Sequence, residues 1–300
     1  MAQPRKSASS AVTTKVVGGI GNQLFCYFAG YYLAKKLQLP LKVDVSDIRN
    51  KRSVHDVSIE EFNLPGSFFA YPDNRVRNFL IRVRNRLIKL APFFGKFDEL
   101  YVSKKIGFDP ELERINSPTT IQGYFQSYKY FEEFTKDKVA IELSNPSNWY
   151  LQMQKDLKDK QFTVIHVRRG DYRALKTSYG LLGLKYYEDA MSFLEKRDNL
   201  YKIYVFSDDI QAAQKMLGNS VPLDTRWINP PDESNAVESL FLMSLASSNI
   251  IANSTYSWWG AALKQENNCV VAPKKWFRSM HDPEGIYPPD WHLIDSDWED

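Results

Sequence analysis

The stretch KVVGGIGNQLFCYFAGYYLAKKLQLPLKVDVS, residues 15–46, decides the fold. KVVGG is short and β-branched and ends in glycines, so it reads as a strand running into a tight turn. NQLFCYFAGYYLAKKLQ follows as a helix, with Leu24, Phe28, Tyr31 and Leu33 approximating one apolar face. PLKVDVS then reads as a second strand. Strand, turn, helix and strand in that order form a βαβ unit and imply a parallel sheet.

The same alternation returns further along. TTIQGYFQS reads as a strand with a polar end, and YKYFEEFTKDKVAIEL as a helix that NPSN, residues 145–148, interrupts. In the second half the strands are FTVIHV, KIYVFS, NIIAN and CVVAP, with helices at roughly 184–196, 209–217, 235–247 and 257–266. The expectation is an α/β chain of two facing Rossmann-like domains, 15–150 and 151–300, after a disordered Ser/Ala/Thr-rich tail at 1–14. Within the first of them, RVRNFLIRVRNRLIKL spaces Val76, Leu80, Val83, Leu87 and Leu90 helically. It sets Arg75, Arg82, Arg86 and Lys89 on the opposite face.

Composition excludes several classes. Hydrophobic residues make up 43% and charged residues 25%, as in a globular protein. A net charge of +3 gives no concentrated basic face for nucleic acid. Cys26 and Cys269 form neither a disulfide framework nor a zinc spacing, and the four histidines are scattered. The start lacks the apolar centre of a signal peptide, and no apolar run reaches the length of a membrane span. A cytoplasmic protein is expected, with the basic helix 75–90 able to rest on an anionic inner-membrane surface.

Open parallel sheets bind ligands beyond the carboxyl ends of their strands. HVRRGD, FSDD and NSTYS each follow a strand of the second half, so all three converge on one edge. Arginine forks match phosphate oxygens, which makes Arg168 and Arg169, beside His166, candidates for an anionic ligand. In an extended backbone the two arginines point to opposite faces, so one of them reaches the ligand. Asp171 either braces an arginine or accepts a proton. Asn253, Ser254, Thr255 and Ser257 lie where a helix N-terminus favours an anion, although Ser and Thr there also serve as ordinary caps. Ser207 and Asp208, with Asp209, bind a ribose or base edge or cap the next helix.

In the first half, VVGGIGNQLF approaches a dinucleotide fingerprint and fails it, because Leu24 stands where the third glycine belongs. Asn22 and Gln23 occupy the turn instead, and carboxamides suit sugar hydroxyls, since each donates and accepts. No Ser–His–acid arrangement is readable. The layout is that of a transferase with a phosphate-bearing donor in the second half and a hydroxyl-rich substrate in the first.

GGIGNQLF, GYFQSYKYF, HVRRGDY, FSDD and LMSLASSNIIANSTYSWWGA, in that order, resemble the α-1,2-fucosyltransferases of glycosyltransferase family 11 over about residues 16–275. The resemblance implies a GT-B fold, GDP-L-fucose as donor, and inverting transfer to the 2-hydroxyl of a terminal galactoside without metal or other cofactor. It implies that His166, Arg168, Arg169 and Asp171 contact the GDP; on the strand-end reading above, Ser207, Asp208, Asn253, Ser254, Thr255 and Ser257 complete the donor site. Arg168 would stabilise the leaving diphosphate, Asp171 is the candidate base, and Asn22, a third catalytic candidate, would face the reacting sugar or the acceptor, with Gln23 beside it as a further acceptor-binding carboxamide. That acceptor is a galactose-terminated oligosaccharide or a lipid-linked glycan. Two other readings are an NAD-dependent oxidoreductase built on GGIGNQ and Asp44, and a carbohydrate-binding protein built on the tryptophans; the latter leaves the arginines without a role.

Overall fold

The computed structural model describes residues 11–50, 55–72, 99–232, 234–263 and 268–299. The helix expected at 75–90 lies outside the described residues. Two compact units divide the chain: Met1–Glu60 with Leu64–Val139, and Glu61–Asn63 with Ala140–Asp300.

A five-stranded parallel sheet forms the first unit. Its strands are β1 (Val12–Lys15), β2 (Leu41–Asp44), β3 (Ser67–Phe69), β4 (Glu99–Val102) and β5 (Thr119–Gln122), in the order β3-β2-β1-β5-β4. β1 starts at Val12, inside the segment expected to be a disordered tail, because Val12, Thr13 and Thr14 are β-branched and pair with β2. Helix α1 (Ile20–Leu37) is buried on nearly every side rather than along one stripe. Gly30 lets it lie close on β1, since a Cβ there would come within 2.8 Å of Thr14 Cγ2. Thr14 Oγ1 donates to the Cys26 carbonyl across the same contact. After the short helix α2 (Ser46–Arg49), helix α3 (Tyr128–Thr135) covers α1 through edge-to-face pairs of Phe28 with Phe131 and Phe134. α3 ends well before the expected 143. Lys138 takes φ 51°, and the chain then crosses into the second unit, where Leu143 bridges Phe62.

The second unit holds a six-stranded parallel sheet: β6 (Phe162–Val167), β7 (Lys202–Ser207), β8 (Arg226–Trp227), β9 (Ser248–Ile250), β10 (Cys269–Pro273) and β11 (His292–Ile294). They run in the order β11-β10-β9-β6-β7-β8. Every residue of β6 is buried, as expected of a central strand covered on both faces. Ile165 and Val167 pack with Tyr186, Tyr187 and Leu194 of helix α5 (Leu184–Glu195) in the core.

The unit begins earlier than the expected 151 for a local reason. Helix α4 (Asn148–Leu157) belongs to it: Ser147, its N-cap, gives its backbone N–H and its hydroxyl to buried Glu238 at 2.5 and 2.8 Å. Glu238 lies on helix α7 (Ala236–Ser244), where Phe241 meets the Tyr150 ring. Helices α6 (Ile210–Leu217) and α8 (Thr255–Ala262) complete the βα alternation.

Each sheet has a switch point where the connections leave in opposite directions: between β1 and β5 in the first, between β6 and β9 in the second. Ligands of open α/β sheets bind outside the carboxyl ends at such points.

Candidate active site

The second sheet brings Arg168 and the start of α8 to its switch point. β6 ends at Val167, and the next two side chains diverge. Arg168 stays 23% exposed, with its Nη2 2.7 Å from Asp171 Oδ1 and its Nε 3.2 Å from Asp208 Oδ2. The second contact is an ion pair without a hydrogen bond. Tyr172 lies under the guanidinium, 5.3 Å from the ring centre, and its hydroxyl donates to the Asn253 carbonyl just before α8. Arg168 is therefore held on three sides and keeps donors to offer.

Arg169 turns the other way. It is 4% exposed, its Nη1 pairs with Glu299 at 2.7 Å, and its Nη2 donates to the Leu182 carbonyl. The structure thus spends Arg169 inside the unit rather than on a donor, as alternation along an extended backbone requires. Asp208 likewise braces the turn: its Oδ1 accepts the Arg169 backbone N–H at 2.8 Å while Oδ2 faces Arg168. Gly170 permits this approach, since a Cβ there would stand 2.6 Å from Asp208 Oδ2. Ser207 accepts the Asp209 N–H, and Asp209 caps α6 through Ala212 and pairs with Arg173. The Ala212 N–H, with Arg173, holds the Asp209 carboxyl below its ordinary range.

His166 is buried two residues before Arg168, 5.5 Å from the Tyr256 ring, with no partner on Nδ1 among the described residues. Burial, helped by the Arg168 charge, lowers its pKa to about 3, so the imidazole is neutral at physiological pH. At the start of α8, Asn253 points inward and donates to the Tyr179 and Trp276 carbonyls. Ser257 donates to the Ala252 and Ser254 carbonyls. Ser254, the N-cap residue, gives no side-chain bond to the first turn, and no acid occupies that turn. The α8 terminus, with Ser254 and half-buried Thr255, thus keeps the positive end of its dipole for an anion.

In the first unit, Gln23 is fully buried. Its amide donates to the Gly18 and Asp56 carbonyls and accepts from the Ser58 and Ile59 N–H groups. That satisfies all of its capacity and makes it a staple of the glycine turn, not a ligand group. Asn22 remains half-buried at the switch point, and its Oδ1 accepts from Gln126 Nε2 at 3.0 Å. Gln126 and Tyr172 were not singled out from sequence, although both sit in quoted blocks; a polar residue just past a strand beside a switch point was the signal. Among the described residues, no cluster of three or more His, Cys, Asp or Glu side chains could hold a metal.

A family model described as Glycosyl transferase family 11 matches residues 113–295. The chain belongs to that family. An Escherichia coli alpha-1,2-colitosyltransferase is 33% identical over 89% of this chain and 93% of its own length. The Escherichia coli O-antigen biosynthesis glycosyltransferase WbnK is 32% identical over 87% and 93%. Among solved structures, an Arabidopsis thaliana FUT1 mutant in complex with GDP superposes with a TM-score of 0.51 at 12% identity, covering 89% of this chain and 71% of that one. The fold is GT-B-like, and the family 11 member is a glycosyltransferase.

Proposed function

We propose that this family 11 enzyme transfers L-fucose, or its 3-deoxy counterpart colitose, from a GDP-linked donor to the 2-hydroxyl of a terminal galactoside, with inversion. The observation that carries the reading is Arg168: a part-exposed guanidinium, fixed by Asp171, Asp208 and Tyr172, at the switch point that also holds the uncapped start of α8. Breaking the glycosyl–phosphate bond leaves charge on the diphosphate. A preorganised donor aimed at such charge is typically worth about 3 to 4 kcal/mol. Arg168 and the α8 N–H groups supply that stabilisation, and the carboxylates on Arg168 fix its orientation before the donor arrives. His166, neutral and buried two residues before it, adds no competing positive charge.

Guanine and the sugar are supported by the five blocks that resemble the α-1,2-fucosyltransferases and by the relative named as an alpha-1,2-colitosyltransferase. A lipid-linked or free glycan acceptor is supported by the relative named for O-antigen biosynthesis. The transfer needs no metal in this reading, because Asp208 and Asp209 are already held by Arg168, Arg169 N–H, Arg173 and the α6 cap.

The test is calorimetric titration with GDP, GMP, UDP and NAD⁺, followed by transfer assays pairing GDP-fucose and GDP-colitose with β-galactosides. Expected are GDP binding that weakens with GMP, and product whose rate EDTA leaves unchanged. Preference for UDP or NAD⁺ would sink the donor assignment. Inhibition by EDTA reversed by Mn²⁺ would make Asp208 and Asp209 metal ligands instead.

A further inference from the structure

The chain leaves β5 in a course that few segments take. Phe125, fully buried, adopts a left-handed φ of 51°. Bulky residues are rare in that region, and it persists where the surroundings over-determine it. Here they do. Gln126 N–H donates to the Ile106 carbonyl at 2.7 Å, and the Phe125 ring lies edge-on to Tyr130. Gly123 makes room, since a Cβ would stand 2.9 Å from both Phe125 Cζ and Ser103 Cβ.

Tyr124 is 47% exposed, whereas Gln126 is 6% exposed and reaches Asn22 across 104 positions. Gln126 Oε1 is buried and meets no hydrogen-bond partner among the described residues. A buried amide oxygen without a donor is uncommon, and each case asks for an explanation. This one lies at the β1–β5 switch point, where the sheet topology independently places a ligand.

We infer that Tyr124 and the Gln126–Asn22 carboxamide pair form the acceptor subsite, a statement that rests on the function proposed above. None of the three side chains is charged, so the ligand class is an uncharged polyol rather than a phosphate or carboxylate. A galactoside presents an apolar face of ring C–H groups, which the Tyr124 ring covers. Sugar hydroxyls both donate and accept, as do carboxamides. Gln126 is the positioning residue: by holding Asn22 Oδ1 it fixes the orientation in which the Asn22 amide meets the sugar. Gly18, at φ +70°, leaves space for that amide, since a Cβ would approach Asn22 Nδ2 to 2.8 Å.

The experiment uses the full chain and compares Gln126→Leu, Tyr124→Ala and Tyr124→Phe with wild type. Acceptor KM should rise at least about tenfold in the first two and stay near wild type in Tyr124→Phe. The GDP Kd should stay within about twofold in all three. Unchanged acceptor KM in both Gln126→Leu and Tyr124→Ala overturns the inference. Tyr124→Ala alters an exposed side chain, so it remains readable if Gln126→Leu fails to fold. A wild-type protein inert on every galactoside is a failure of the function reading. Saturation-transfer NMR with a glycan panel then decides the subsite by itself. Glycan contacts that vanish in Tyr124→Ala uphold it; contacts that persist, or a wild type that binds no glycan, overturn it.

Discussion

Asp171 stands 2.7 Å from Arg168 with a side chain 54% exposed. A brace and a general base make different demands on such a carboxylate. A base must give up its pairing to take the acceptor proton; a brace must keep it. Asp171→Asn retains an oxygen for Arg168 and removes the basicity. If Asp171 braces, kcat should fall less than about tenfold and GDP affinity should slip modestly; if it is the base, kcat should fall by about 10² to 10⁴ with GDP affinity intact. Calorimetry beside initial rates reads both. Two residues before Arg168, His166 makes a prediction about pH. Its folded pKa, about 3, lies below the ordinary value of 6.5, so the unfolded chain binds the extra proton first. Stability from this group is complete above about 6.5 and is lost as pH falls toward about 3, by up to about 1.4 kcal/mol per unit. Wild type should therefore lose denaturation midpoint between pH 6.5 and 4.5, above the range where carboxylates titrate. His166→Phe should flatten that slope. Equal slopes would mean that another group governs the acid limb.

The turn after β6 shows how an element carries what its residues cannot carry alone. Gly170 permits Asp208 to hold both the Arg169 N–H and the Arg168 guanidinium. Gly170→Ala should cost about 1 to 3 kcal/mol in stability through the forced contact, and should weaken GDP binding although residue 170 itself offers no ligand group. Urea titration and calorimetry measure the two effects; full GDP affinity would show that Asp208 yields without moving Arg168. Central strands and their helices were legible because a strand covered on both faces must read as a continuous apolar run, as FTVIHV does. The strands missed were β3, β4, β8 and β11, all of them sheet edges of two to four residues. An edge strand is covered less and is too short to show a period. The candidate site was legible in the same uneven way. Arg168 and the start of α8 follow from strand ends, and the opposed directions of Arg168 and Arg169 follow from alternation. The internal use of Gln23, Asn253 and Ser257 was not, because a carboxamide or hydroxyl in a turn reads alike whether its partner is a sugar, a carbonyl of its own turn, as for Ser257, or a backbone group far along the chain, as for Gln23 and Asn253.

At the scale of the whole chain, two units with separate sheets carry two different chemistries at equivalent places. In the second, β6 and β9 flank a switch point that offers fixed positive charge; in the first, β1 and β5 flank one that holds the uncharged Asn22 and Gln126 amides. A diphosphate and a glycan should therefore leave separable marks on the molecule. Ligand that binds only the folded state stabilises it by about 2.7 kcal/mol at a hundredfold excess over Kd, and slows exchange where the backbone can open locally. Hydrogen-exchange mass spectrometry should show GDP protecting 167–173 and 253–258 while leaving 18–24 and 123–127 unchanged. An acceptor galactoside should protect 18–24 and 123–127 and leave 253–258 unchanged. Protection by GDP at 123–127 alone would exchange the roles of the two units. Protection of both pairs by either ligand would mean that binding at one switch point orders the other, a coupling that must then appear reciprocally as GDP raising acceptor affinity by the same factor.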